Sequence, residues 1–177
     1  MYPVLRLAKE MIRARFMEPL PAEGTHISHH ICWPIDIDFN LEMNNGRVLT
    51  VYDIGRIPLA QRVGLLKVMM KHKWGFAMAG ASVRYRKRIL PFDRFEVHSK
   101  TVARDEKFFY IEQTVWKKGE AASNILYRAA VTDKNGMVRT QIVADAMGQP
   151  DWNPTPPDWV SNWIEAESTR PWPPTKE

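Results

Sequence analysis

The change of hydrophobic period at Asn45 constrains this chain more than any other feature. Upstream, residues 26–38 read as a strand, with Ile27, Ile31, Trp33, Ile35 and Ile37 on one period-2 face. From Asn45 to about Trp74 the apolar residues recur at three- and four-residue steps instead: Val48, Leu49, Tyr52, Ile54, Leu59, Val63, Leu66 and Met70. Pro58 cannot donate to a helix ladder but is tolerated in a first turn, so two helices are expected, 46–56 and 58–72. Strand-like segments follow at 77–90, 94–103, 108–116, 123–132 and 137–144. Their turns are Pro91-Phe92-Asp93, Asp105-Glu106, Lys117-Lys118-Gly119-Glu120 and Asp133-Lys134-Asn135-Gly136, where Asn-Gly is the strongest hairpin signal. Strand, long helix, then a meander of hairpins is an α+β pattern: one antiparallel sheet with a major helix packed on it. Such a sheet keeps one wet face unless something covers it.

The composition, 45% hydrophobic and 25% charged, supplies a core without disulfide staples. Cys32 is alone, in an apolar run, and reads as buried and inert. His26, His29 and His30 do not share a strand face and have no acidic or thiolate partner nearby, so no metal site is expected. The net charge of +5 favours anionic partners without choosing among them. No nucleic-acid-binding motif is present, so none is expected as a partner.

Three regions are expected. Residues 1–20 hold an N-terminal amphipathic helix, with Val4, Ala8, Met11 and Ile12 on one stripe and basic residues elsewhere. That stripe is expected to pack on the domain; the alternative is peripheral contact of residues 1–17 with anionic lipid. Arg6, Lys9, Arg13 and Arg15 interrupt any signal-peptide core, and a cytoplasmic protein is expected. Residues 25–148 form the main domain. Residues 149–177 are rich in Pro and carry four of the seven tryptophans, too aromatic for a disordered tail, so they read as a strap with a short helix at 158–166.

The chemistry concentrates in 36–47, where polar residues separate two apolar runs: Asp36-Ile37-Asp38-Phe39-Asn40-Leu41-Glu42-Met43-Asn44-Asn45-Gly46-Arg47. Asp36 and Asp38 project from one face if the strand continues. Asn44 or Asn45 can cap the helix, and N–H groups at its start can hold an oxyanion. A carboxylate beside such a helix end suits thioester hydrolysis, although Asp and Asn at these places also serve as caps and turns.

This segment resembles the signature of the 4-hydroxybenzoyl-CoA thioesterase-like branch of the hotdog superfamily: Asp-x-Asp, three residues, usually His, an apolar residue, then Asn-Asn entering the central helix. The resemblance continues through Tyr52-Asp53-Ile54-Gly55-Arg56 and the basic strand at Val83–Arg88, and covers roughly residues 25–170. The end of the chain resembles animal members that carry an N-terminal membrane anchor. The resemblance implies a hotdog fold, a five- or six-stranded sheet wrapped around the long helix. It implies homodimers, which in turn could pair as tetramers, with active sites at the subunit interface. The substrate would be an acyl-CoA, CoA entering as part of the substrate, and no separate cofactor or metal is required. Asp38 would be nucleophile or general base. The N–H groups of Asn44, Asn45 and Gly46 would polarise the carbonyl. Where the family usually has His this chain has Glu42, which would disfavour ionisation of a nearby Asp38. It serves either as a second acid/base group or marks a non-catalytic acyl-CoA-binding or scaffold member. Arg84, Arg86, Lys87 and Arg88 are the densest basic cluster and the candidates for the CoA phosphates.

Overall fold

A computed structural model describes residues 2–174 and 176. Helix α1 is Val4–Arg15, strand β1 is His26–Ile31, and a 3-10 turn at Pro34–Asp36 leads to helices α2, Asn45–Arg62, and α3, Leu65–His72. Then come β2, Gly75–Tyr85; β3, Arg94–Arg104; β4, Phe109–Lys117; β5, Glu120–Asp133; β6, Gly136–Val138; α4, Thr140–Ala146; and α5, Asp158–Ser168. The sheet is antiparallel in the order β1-β3-β4-β5-β2, with β6 added to the end of β5. The α+β expectation therefore holds, with six strands curled around α2.

Helix α2 sits on the sheet because its buried side packs on inward strand residues. Val48, Val51, Tyr52 and Leu59 share one cluster with Val97, Ile111, Val115 and Ile125. The approach is close at Gly55, where a Cβ would lie 2.8 Å from Val97 Cγ1 and Ser99 Oγ. The outer face is covered by α5: Val160, fully buried, and Trp163 pack on Ala103, Tyr110 and Leu126. The C-terminal strap thus crosses its own sheet.

Four local expectations are corrected. The first concerns β1, which ends at Ile31 and faces the other way: His26, Ser28 and His30 point inward, and Ile27 is exposed. Register decides this. His26, Ser28 and His30 lie opposite Ser99, Val97 and Phe95, which already face α2, and opposed residues share a face. Three of the inward polar atoms are paired or bridged, His30 Nε2 with Ser28 Oγ at 2.8 Å and His26 Nδ1 with Arg62 Nη1 at 3.1 Å, while the buried His26 Nε2 has no hydrogen-bond partner among the described residues.

The helix break falls at Gly64, not near Arg56; α2 runs through Pro58, and Gly64 takes the left-handed φ of +83° that ends a helix. The segment at 137–144 is strand only to Val138, because Thr140–Ala146 winds into α4 and buries Val143 and Ala144. Finally, α1 packs on α2 through a different side. Glu10 and Ala14 are buried, while Val4, Leu5, Ile12 and Phe16 of the expected stripe and its flanks are exposed. Among the described residues no helix is long and apolar enough to cross a membrane.

Candidate functional site

The strand-to-helix segment is organised by Asp36, not by a continued strand. The 3-10 turn carries Asp36 inward to 1% exposure, where Oδ2 meets Arg6 Nη2 at 2.7 Å and accepts the Trp33 N–H at 2.9 Å. Arg47 Nε lies 3.1 Å from Oδ1, and the Asp36 carbonyl accepts the Asn44 N–H. One carboxylate thus ties α1, the turn and the start of α2 together. Asp36 and Asp38 do not project from one face: Asp38 is half-buried and lines a cleft of about 550 Å³ with Asn44, Gly46 and Arg47.

Between Asp38 and Glu42 the chain makes a tight reversal. The Asp38 N–H donates to the Glu42 carbonyl at 2.9 Å, the Leu41 N–H to the Asp38 carbonyl at 3.1 Å, and the Asn40 N–H to Asp38 Oδ1 at 2.8 Å. The turn needs a left-handed residue, and Leu41 supplies it at φ +58° with an exposed side chain. A side chain there costs about 1–2 kcal/mol, against about 0.5–1 kcal/mol of added chain freedom for glycine. Leu41→Gly is therefore expected to stabilise the fold by about 0.5–1 kcal/mol, read from urea unfolding; a loss of stability would show that the Leu41 side chain packs.

At the helix start Asn44 is the cap, its Oδ1 accepting the Gly46 N–H at 2.9 Å and the Arg47 N–H at 3.3 Å. Of the three N–H groups expected to face a carbonyl, that of Asn44 goes to the Asp36 carbonyl and that of Gly46 to the cap. The Asn45 N–H meets no acceptor among the described residues. Asn45 and Glu42 open onto a second cleft, about 260 Å³, whose far wall is Tyr85, Arg86, Lys87 and Arg88, with Ser123 beside them.

The basic cluster is divided. Strand β2 ends at Tyr85, so Arg84 stays on the strand while 86–88 turn away, the Arg86 and Lys87 N–H groups both donating to the Ala122 carbonyl. Within the turn Arg88 Nε pairs with Glu42 at 3.2 Å and Lys87 with Glu120 at 2.5 Å. Glu42 is thus neutralised across the second cleft, while Asp38 lines the first. Ser123 and Tyr85 were not expected here. Ser123 is placed by its bond to the Tyr52 hydroxyl at 2.7 Å, which no local pattern signals. Cys32 is fully buried, and burial pushes its thiol up to about 11, as an inert cysteine requires.

Comparison with known proteins agrees with this frame. The E. coli probable thioesterase YbaW has the same fold, at a TM-score of 0.66 and 16% identity over 70% of this chain and 97% of that one. The DHNA-CoA thioesterase of Staphylococcus aureus matches at a TM-score of 0.62 and 14% identity, over 81% and 91%. An antiparallel sheet curled around a central helix, matched by these enzymes, is a hotdog fold. The thioesterase-like superfamily model matches residues 32–164, and the chain belongs to that superfamily. Protein THEM6 of Xenopus laevis is 30% identical over 141 residues, 79% of this chain and 67% of that protein.

Proposed function

We propose that this chain hydrolyses acyl-CoA thioesters, with Asp38 as the carboxylate that activates water. One observation carries this reading: the first turn of α2 stands between the cleft holding Asp38 and the cleft walled by Arg86, Lys87 and Arg88. The reaction needs a base, a donor to the carbonyl and cations for the phosphates. Asp38 takes a proton from water as the water oxygen attacks the thioester carbon. The Asn45 N–H stabilises the developing oxyanion. The carbon–sulfur bond breaks, and the CoA thiolate leaves and is protonated. Arg86, which has no carboxylate partner among the described residues, meets the CoA phosphates first, with Lys87 and Arg88 able to exchange Glu120 and Glu42 for phosphate. Direct attack by Asp38 on the carbonyl gives the same products through an anhydride.

Strand β2 pairs only with β5 and presents its other edge along 11 residues. An open edge of that length invites a second copy, and a homodimer joined there would close the clefts from outside. The second reading, an acyl-CoA-binding or scaffold protein without turnover, draws on two features. Glu42 already occupies Arg88, and the Asn44 cap already takes the Gly46 and Arg47 N–H groups. A chain-length series of acyl-CoAs with a thiol reagent separates the two. Turnover on at least one member is expected; saturable CoA binding with no turnover on any member would leave the second reading standing.

A further inference from the structure

Helix α1 buries one side and leaves an apolar line on the other. Its inner side holds the buried Glu10 and Ala14 and also Arg6, which is tied to Asp36. On the opposite side Leu5, Ile12 and Phe16 are 86%, 62% and 83% exposed. Residues seven and eleven positions apart fall on nearly one line at 3.6 residues per turn. The three therefore form a single ridge about 16 Å long, with the exposed Val4 beside its head.

The charges around the ridge have one sign. At about 100° per residue, Lys9 and Arg13 fall along one flank and Arg15 along the other, and all three are exposed. Arg13 and Arg15 have no carboxylate partner among the described residues, while Lys9 Nζ lies 3.2 Å from Glu10 Oε1. Glu10 is the one acid between residues 2 and 16 and is buried; Glu18 lies past the last turn. The outward face is thus apolar and cationic, with no carboxylate on it.

Charge and shape choose its occupant. A second copy of α1 laid on this face, in either direction, sets arginines against arginines with no acid to meet them, and like charges in contact destabilise. A bilayer meets every feature with one surface. The acyl boundary takes the ridge, and anionic headgroups stand level with both flanks, where lysine and arginine stems run along apolar surface and keep their charges in the polar layer. We infer that α1 docks on an anionic lipid surface. It lies in the plane of the interface, with Leu5, Ile12 and Phe16 inserted and Lys9, Arg13 and Arg15 among the phosphates.

The test is co-sedimentation of the whole chain with vesicles of phosphatidylcholine alone and with about 30% phosphatidylserine added. Each cation near such a surface contributes roughly fivefold, so binding to the anionic vesicles is expected to be at least about tenfold tighter and to weaken as salt is raised. Leu5→Ser with Phe16→Ser, both outside the core, is expected to weaken that binding by about tenfold or more at an unchanged melting temperature. Arg13→Gln with Arg15→Gln is expected to remove most of the preference for anionic vesicles. Equal binding to the two vesicle types, or anionic binding that survives in folded Leu5→Ser with Phe16→Ser, overturns the proposal. Binding to neither type also overturns it, and leaves an acidic groove on another protein as the occupant. Self-association that Leu5→Ser with Phe16→Ser abolishes, in place of vesicle binding, overturns it in favour of a second copy.

Discussion

Asp36→Asn is expected to destabilise the fold by about 3 kcal/mol, because it leaves two arginines facing a neutral amide. The carboxylate is 1% exposed and holds Arg6 at 2.7 Å, Arg47 at 3.1 Å and the Trp33 N–H. A surface ion pair contributes roughly 0–1 kcal/mol, so burial decides the size. The arginines are 19% and 15% exposed and partly reach water, which keeps the loss near the lower end of the range for broken buried pairs. Against a total stability of about 5–15 kcal/mol the change is large. Urea unfolding of the variant gives the value, and a double-mutant cycle with Arg6→Met isolates the pair. A loss below 1 kcal/mol would show that Asp36 is no more than a surface partner.

Mild acid is the second large effect. His26 and His30 are buried; burial first, and then the charges of Arg62 and Arg13 on His26 and of Lys9 and Arg6 on His30, lower them to about 4 and about 3. In the unfolded chain both titrate near 6.5. Between those values the unfolded state holds protons that the native state does not, so stability rises with pH there. The contribution is complete above about pH 6.5 and is lost as pH falls from 6.5 toward 4 and then 3. The two together are expected to cost on the order of 3 kcal/mol between pH 7 and 5. Unfolding midpoints measured across this window in wild type and in His30→Gln read the effect, the variant showing the shallower dependence. Identical slopes would show that His30 takes up no fewer protons folded than unfolded.

The fold was readable where periodicity and turn chemistry agree. The switch of period at Asn45 marks α2, and the turns at Lys118-Gly119 and Asn135-Gly136 mark the hairpins that link β4 to β5 and β5 to β6. The facing of β1 was not readable, because Ile27 and Ile31 outrank His26 and His30 on any hydrophobic scale. Only the register with Phe95, Val97 and Ser99 turns the histidines inward. Pro58 masked the continuity of α2, whereas Gly64 carried the stronger stop signal through its left-handed φ.

The candidate site was legible as a segment and not as a geometry. Asp38, Glu42 and Asn45 do flank one helix start, and Arg86, Lys87 and Arg88 do come to it. Two things needed the third dimension. Asp36 looks like the twin of Asp38 in sequence, yet a 3-10 turn sends it into the interior, where Arg6 from a distant helix awaits it. Glu42 and Arg88 are 46 positions apart in the chain, and their pairing alters what a carboxylate at that position does.

The central claim is that Asp38 serves hydrolysis beside the start of α2. The most direct measurement is the turnover of Asp38→Asn on the best acyl-CoA substrate, alongside its CoA affinity and unfolding midpoint. The expected result is a fall in kcat by about 10²–10⁴, with CoA affinity and stability close to wild type. An Asp38→Asn enzyme that is folded and as fast as wild type would contradict the account.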